Sequence, residues 1–156
     1  MPGSQEGVVV WDCGATNTTV SILGTEGRML SSRSRPTEVV ATADGLSWPF
    51  EDMWEAFCDL TRAALSDVEV EPRAVVVTTF GVCWGAVNDD HELVYPVISW
   101  KCARGRAERD WAEEHLDLDE VYKQTGAPSF HFNTAFTLRW VRENRPRCLT
   151  ERRPSC

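Results

Sequence analysis

An aspartate that ends a β-branched run, followed at once by a glycine and small hydroxylic residues, can offer a carboxylate to Mg²⁺ beside backbone N–H groups that face phosphate. Residues 8–19, Val-Val-Val-Trp-Asp-Cys-Gly-Ala-Thr-Asn-Thr-Thr, have that arrangement. Asp12 is the carboxylate, and Gly14 is where a side chain would hold a phosphate away. Taken alone the D-x-G-x-T pattern is a weak signal, since an ordinary capped turn would look similar and is the commoner case. No comparable metal cluster stands elsewhere. The six cysteines (Cys13, Cys58, Cys83, Cys102, Cys148, Cys156) form no C-x-x-C pair, and His91, His115 and His131 are scattered. The cysteines are therefore expected to be reduced thiols, with no zinc site.

The elements that would position Asp12 follow from the apolar pattern. Val8–Trp11, the run around Val20–Leu23 and the stretch Met29–Ser34 predict a three-strand meander with turns at 12–18 and 24–27. Residues 36–45 look like loop. Ser47, Pro49, Glu51 and Asp52 form a helix start, and Trp54, Phe57, Cys58, Thr61 and Leu65 fall on one face as core. Ala74–Thr79, a continuous β-branched run, predicts a buried strand. Residues 84–87 and 93–97 flank Asn88–Glu92 as a hairpin or extended excursion. Helices are predicted over 103–115 and 133–144, the second capped by Asn133 and stopped by Pro146. Asp110, Asp117 and Asp119 stand in helical or capping contexts and make poor catalytic acids. Strands, helix, strand, excursion and helices together give an α/β class.

Composition narrows the partners. A chain of 156 residues, 42% hydrophobic, supports one compact unit or part of one. Residues 145–156 carry a net +3 and residues 1–144 a net −11, for −8 in total. So acidic a body, lacking a basic stripe with interleaved aromatics, argues against nucleic acid. The start has no basic n-region, and the nearest apolar run is far short of a signal or membrane span. A cytoplasmic protein with no membrane partner is expected.

Two further blocks turn the first motif into a resemblance. Asp12-Cys13-Gly14-Ala15-Thr16-Asn17 resembles the first phosphate motif of the actin-like ATPase superfamily. "VVVTTFGV" at 75–82, "LVYPVISWKCAR" at 93–104 and "NTAFTLRWVRENRP" at 133–146 resemble successive blocks of the FGGY carbohydrate kinase family, on its L-fuculokinase side. The likeness covers residues 8–146. It implies a ribonuclease H-like fold, with strand 74–79 parallel beside the first strand. It implies ATP and Mg²⁺ as cofactors, Asp12 holding Mg²⁺ through water, and Gly14, Thr16 and Asn17 lining the phosphates. It also implies a small-molecule sugar held by Phe80, Gly81, Val82, Cys83, Trp100 and Arg104. Gly81 would allow close approach, and Trp100 would give the sugar an apolar face. A buried Trp100 with a surface Arg104 is the structural alternative.

The departures matter as much. Cys83 stands where L-fuculokinases usually have Asp, and a thiol is a poor partner for sugar hydroxyls. The resemblance puts the family's catalytic Asp, second phosphate loop and adenosine site downstream, so no catalytic base is expected within this chain. The domain plan expected is a disordered start over 1–7, an incomplete first kinase domain over 8–146 and a tail over 147–156 outside the family pattern. That tail, "RCLTERRPSC" after Pro146, suggests a frameshifted or truncated reading frame. The activity implied is ATP-dependent phosphorylation of a ketose such as L-fuculose, with a kinase for another ketose or polyol, such as rhamnulose or xylulose, as the alternative. A non-catalytic sugar- or nucleotide-binding module is the rival from another class. If incomplete, the domain exposes 74–79, uncharged and without proline, as an edge through which copies self-associate.

Overall fold

The computed structural model describes residues 5–150, the side chain of Thr150 excepted. Nine strands and five α-helices divide between two compact units, residues 5–38 with 49–81 and residues 39–48 with 82–150.

In the first unit, β1 (Gln5–Cys13), β2 (Asn17–Gly24), β3 (Met29–Pro36) and β6 (Val70–Thr79) form one sheet in the order β3-β2-β1-β6. β1 pairs antiparallel with β2 and parallel with β6. This is the predicted meander with its parallel neighbour. β1 begins at Gln5, so residues 5–7 of the start expected to be disordered are strand, while residues 1–4 lie outside the described residues. The parallel ladder slips between Gly7 and Val8, opposite Pro72, which has no N–H to donate.

Strand alternation gives this sheet two faces. Val9, Val20 and Ile22 are buried against Phe57 and Ala64 of α1 (Phe50–Ser66), with Trp11, Cys13 and Leu30 packed around them. Trp11 stacks on Phe57 at 4.8 Å and donates its indole N–H to Thr61 Oγ1 at 2.9 Å. The α1 stripe is Met53, Ala56, Phe57 and Ala64, rotated from the predicted one, and Trp54 is exposed with its ring edge-on to Trp11. Phe57→Ala would cost about 3–5 kcal/mol, the usual range for a large core aromatic. The opposite face carries Val10 and Asp12 beside a hydroxyl ladder, Thr19 to Ser34 at 3.0 Å and Ser21 to Ser32 at 3.1 Å.

One expectation for this sheet fails. β6 is not a buried strand: residues 71–79 are all exposed, and Val75, Val76 and Val77 are half or more open. The cause is placement, since β6 pairs with β1 alone among the described residues and α1 packs over β2 and β3. A continuous β-branched run records a preference for strand, not the number of neighbours a strand will find.

In the second unit, β4 (Val40–Thr42), β5 (Gly45–Trp48) and β9 (Val97–Ile98) make a small sheet, and β7 (Ala86–Val87) pairs with β8 (Leu93–Tyr95) as the expected hairpin. The loop predicted at 36–45 thus contains strand, and Ser47, predicted to open a helix, is buried in β5 opposite Ile98. A 3-10 turn at Ala103–Gly105 leads into α2 (Arg106–His115). Helix α3 (Leu118–Thr125) starts at Asp117, whose side chain accepts from Glu120 N, and ends at Gly126 with φ 69°. Helices α4 (Thr134–Asn144) and α5 (Arg147–Thr150) follow, so residues 147–150 of the predicted tail are helical and residues 151–156 lie outside the described residues. Asn133 is the residue before α4, but its amide donates to Pro128 O at 2.7 Å instead of capping the helix. Tyr95, Ile98, Cys102 and Val141 form this unit's core.

Candidate functional site

On the phosphate side, Asp12 sits one residue from the end of β1, exposed, on the sheet face that α1 leaves open. Its neighbours in register are Thr19 of β2 and Thr78 of β6. No hydrogen bond or ion pair engages its carboxylate among the described residues. Some carboxylates of this chain do pair with arginines, as Asp67 does with Arg33 at 2.7 Å and Glu108 with Arg139 at 2.7 Å. A carboxylate left open beside hydroxyls is the donor set a water-keeping Mg²⁺ requires, since that ion takes one or two protein carboxylates and draws its other ligands from water and phosphate. No group of three or more His, Cys, Asp or Glu residues able to hold a metal occurs among the described residues.

The turn after it is built tightly. Gly14 N–H donates to Asn17 O at 3.1 Å, and a Cβ at Gly14 would fall 2.6 Å from that same carbonyl. Gly14 is therefore required by the hairpin itself, and its own N–H is used within the turn. Thr16 O accepts from Thr37 N at 2.9 Å, and the buried Thr18 and Thr37 hydroxyls meet at 2.8 Å, which pins the hairpin to the end of β3. The side chains of Thr16 and Asn17 are exposed, with no hydrogen bond of their own among the described residues. Phe80 is half-buried and Gly81 exposed just past β6, and a Cβ at Gly81 would meet nothing within 4 Å.

The remaining sugar-side residues belong to the second unit. Val82 is half-buried. Cys83 Sγ accepts the Trp48 indole N–H at 3.2 Å. Burial pushes the Cys83 thiol up, against hydrogen bonds from Trp48 and the Trp100 main chain that pull it down. Two donors thus converge on the one position where the fuculokinase pattern has a carboxylate. Trp100 is half-buried, edge-on to Phe132 with ring centres 6.1 Å apart, and Lys101 Nζ lies 5.8 Å from its ring centre.

Arg104 is buried and held by protein. Its Nη1 donates to Tyr95 Oη at 2.8 Å, its Nε to Cys102 Sγ at 3.1 Å, and its guanidinium lies over the Trp140 ring at 4.8 Å. Nη2 alone has no partner among the described residues. Tyr95 in turn donates to Asp44 Oδ2 at 2.7 Å, and Arg145 Nε donates to the same oxygen at 3.1 Å. The Tyr95 hydroxyl beside Asp44, and then Arg145, hold that carboxyl below its ordinary range. Burial, and next the Asp44 carboxylate, push the Tyr95 phenol up to about 12. Burial is the largest single influence on Cys102 and pushes its thiol up, but hydrogen bonds from Arg104 and the Leu46 main chain, with the Arg104 charge, together draw it down. Sequence reasoning missed Trp48, Asp44 and Tyr95. Asp44 and Arg145 lie 101 positions apart, and no local pattern announces their pairing.

Comparison with known proteins is consistent across sequence and structure. Residues 8–153 match the FGGY family of carbohydrate kinases, N-terminal domain, so the match extends past 146 into the predicted tail. The chain is 33% identical over 149 residues to the L-fuculokinase of Escherichia coli (strain K12), covering 93% of this chain and 32% of that protein. It is 27% identical over 147 residues to the L-fuculokinase of Haemophilus influenzae, covering 88% and 31%. The chain thus spans about a third of the length of the curated relatives it matches. Among solved structures, it resembles a gluconate kinase from Lactobacillus acidophilus with TM-score 0.85 and 15% identity, over 95% of this chain and 30% of that one. A ligand-bound xylulose kinase from the same organism gives 0.83 at 14% identity, over 94% and 30%. At these identities the structures speak for the fold, which is that of the actin-like ATPase sugar kinases.

Proposed function

Because the chain belongs to the FGGY family of carbohydrate kinases, we propose that it is the N-terminal portion of an ATP-dependent kinase that phosphorylates a ketose such as L-fuculose. The observation that carries this is Asp12, an open carboxylate at the mouth of a glycine-tightened hairpin on the uncovered face of the sheet. Asp12 would hold Mg²⁺ through water, and the Thr16 and Asn17 side chains would reach the phosphates of ATP. Mg²⁺ would neutralise charge on the phosphate oxygens during in-line transfer to a sugar hydroxyl. Val82, Cys83 and Trp100 would bind the sugar and Arg104 would add a donor through Nη2; the resemblance gives Phe80 and Gly81 a sugar-binding role as well. The resemblance leaves proton removal and adenosine binding to segments this chain does not span, so we expect the chain alone to be inactive. We also expect a cytoplasmic protein, with no nucleic-acid or membrane partner and with self-association through the β6 edge. Among the described residues no helix is long and apolar enough to cross a membrane.

Cys83, in place of the usual aspartate, favours a second reading in which the sugar is another ketose or a polyol. A titration of the ¹⁵N-labelled chain separates these. Mg²⁺·ATP should move the amide signals of Asp12, Thr16 and Asn17, and Asp12→Asn should abolish the response. L-Fuculose, L-rhamnulose and D-xylulose should then rank by their shifts at Cys83 and Trp100. A hairpin indifferent to Mg²⁺·ATP would refute the phosphate assignment.

A further inference from the structure

The second unit holds a cavity of about 450 Å³ lined by Arg106, Arg109, Asp110, Ser129, Phe130 and His131. None of these residues belongs to the site described above. Its volume lies within the range of small-molecule pockets.

The cavity is a built feature. A Cβ on Gly105 would fall 2.0 Å from His131 O, so glycine there is what lets the segment before α4 lie on the start of α2. That segment is closed on itself: Phe130 N donates to Pro128 O at 3.0 Å, Asn133 N to Phe130 O at 2.9 Å, and the Asn133 amide to Pro128 O at 2.7 Å. Arg109 ties it to the helix, donating from Nε to Ser129 O at 3.3 Å while its fork grips Glu113 at 2.9 and 3.2 Å.

The cations differ in what they are free to do. Arg109 is committed to Glu113, Ser129 and, at 3.5 Å, Asp110. Arg106 is exposed, with no hydrogen bond or ion pair among the described residues, and neither ring nitrogen of His131 has a hydrogen-bond partner there. Glu113 and Asp110 offset the charge of Arg109, so Arg106 is the cation of the lining left to meet an anion among the described residues. Phe130, stacked on Phe132 at 5.1 Å, turns an exposed ring toward solvent. An unpaired guanidinium and an imidazole suit a phosphate dianion. The Asp110 carboxylate and Ser129 hydroxyl suit sugar hydroxyls, and an aromatic face suits the carbon side of a sugar.

We infer that this cavity is a second ligand site, taking the monophosphate ester of a small sugar, with the phosphate on Arg106 and His131 and the carbon face on Phe130. It rests on the proposed function in one respect, that a sugar kinase makes this class of compound. The site would let the protein sense accumulated product through residues other than those of the phosphate hairpin.

The probe is D-fructose 1-phosphate, titrated into the 156-residue chain by calorimetry and followed at the amide signals of Arg106, Phe130 and His131. D-Fructose and inorganic phosphate are the comparison arms. Saturable binding of the ester is expected, at least tenfold tighter than either arm. Arg106→Gln should weaken it tenfold or more, and Arg106→Lys should recover part of the loss. Phe130→Ala should weaken the ester and leave inorganic phosphate unchanged. Asp12→Asn should leave all of this intact, so loss of the Mg²⁺·ATP response at the hairpin and loss of the cavity's response are read separately. Absence of saturable binding, or equal affinity in Arg106→Gln, overturns the site. Equal affinity for the ester and inorganic phosphate overturns the sugar assignment.

Discussion

Single residues in the second unit do more than hold the core. Tyr95 stands between an acid and a base, donating to Asp44 at 2.7 Å and accepting from Arg104 at 2.8 Å. Tyr95→Phe leaves both partners short of a hydrogen bond in a buried place, and a cost of about 1–3 kcal/mol is expected. The pH dependence follows from the same contacts. Asp44 has its pKa depressed in the fold, so its contribution is present above the unfolded carboxylate value near ~4 and is lost as pH falls below that. Tyr95 is raised, so its contribution is full below the unfolded phenol value near ~10 and is lost as pH rises toward about 12. Denaturant unfolding across pH should show a plateau bounded by these two limits, and Tyr95→Phe should remove the alkaline fall. An unchanged alkaline limb in the variant would take Tyr95 out of the account. Cys83 makes a second case. The Trp48 indole and the Trp100 main chain already direct hydrogen bonds at position 83, so Cys83→Asp receives a prepared cradle. Charge-assisted bonds to sugar hydroxyls should tighten ketose binding by about tenfold or more. Equal affinities across a ketose panel would remove residue 83 from the sugar site.

Elements were legible where their cause is local. The meander, strand β6, the hairpin β7–β8 and helices α2 and α4 follow from apolar period and turn residues within a few positions, while the parallel pairing of β6 with β1 is implied by the resemblance alone. What was not legible depends on partners far along the chain. Ser47-Trp48 resembles a helix start, since Pro49, Glu51 and Asp52 follow, yet it pairs with Val97 and Ile98 some fifty positions away. Arg104 had the sequence of a ligand residue, but its packing over Trp140 depends on a helix that begins thirty positions later. The Asp12 hairpin was legible because turn and acid are contiguous, although Gly14 turned out to serve the turn's own closure. The β6 edge yields the prediction at this scale. Val75 and Val77 lie in register with Val9 and Trp11, on the α1 side of the sheet, and Val76 lies on the other, so neither face of β6 is covered among the described residues. An uncharged β-branched edge recruits strands. Light scattering after size exclusion should show concentration-dependent association, and Val77→Lys should reduce it by placing a charge on that edge. A wild-type chain that stays monomeric at every concentration would refute the edge.

At the scale of the whole molecule, the predicted site residues fall into two groups. Asp12, Gly14, Thr16, Asn17, Phe80 and Gly81 belong to the first unit, and Val82, Cys83, Trp100 and Arg104 to the second. Each unit has its own core, one around Val9, Val20 and Phe57, the other around Tyr95, Ile98 and Val141. Each group is therefore positioned by a core of its own. Turnover asks for more: a base within reach of the attacking hydroxyl and a hold on the nucleotide that aligns the phosphoryl group. Asp110, Asp117 and Asp119 are expected to be poor candidates for that base. Asp117 is used as a helix cap, and Asp110 lines the separate cavity on α2. With about a third of the relatives' length, the chain should bind Mg²⁺·ATP and sugar weakly and transfer nothing. Incubation of the purified chain with Mg²⁺, ATP and L-fuculose should give no sugar phosphate above a protein-free control. Adding the remaining two thirds of a homologous kinase in trans should restore transfer only when Asp12 is intact. Phosphorylated ketose formed by the wild-type chain alone, and lost in Asp12→Asn, would mean that a base lies within these 156 residues.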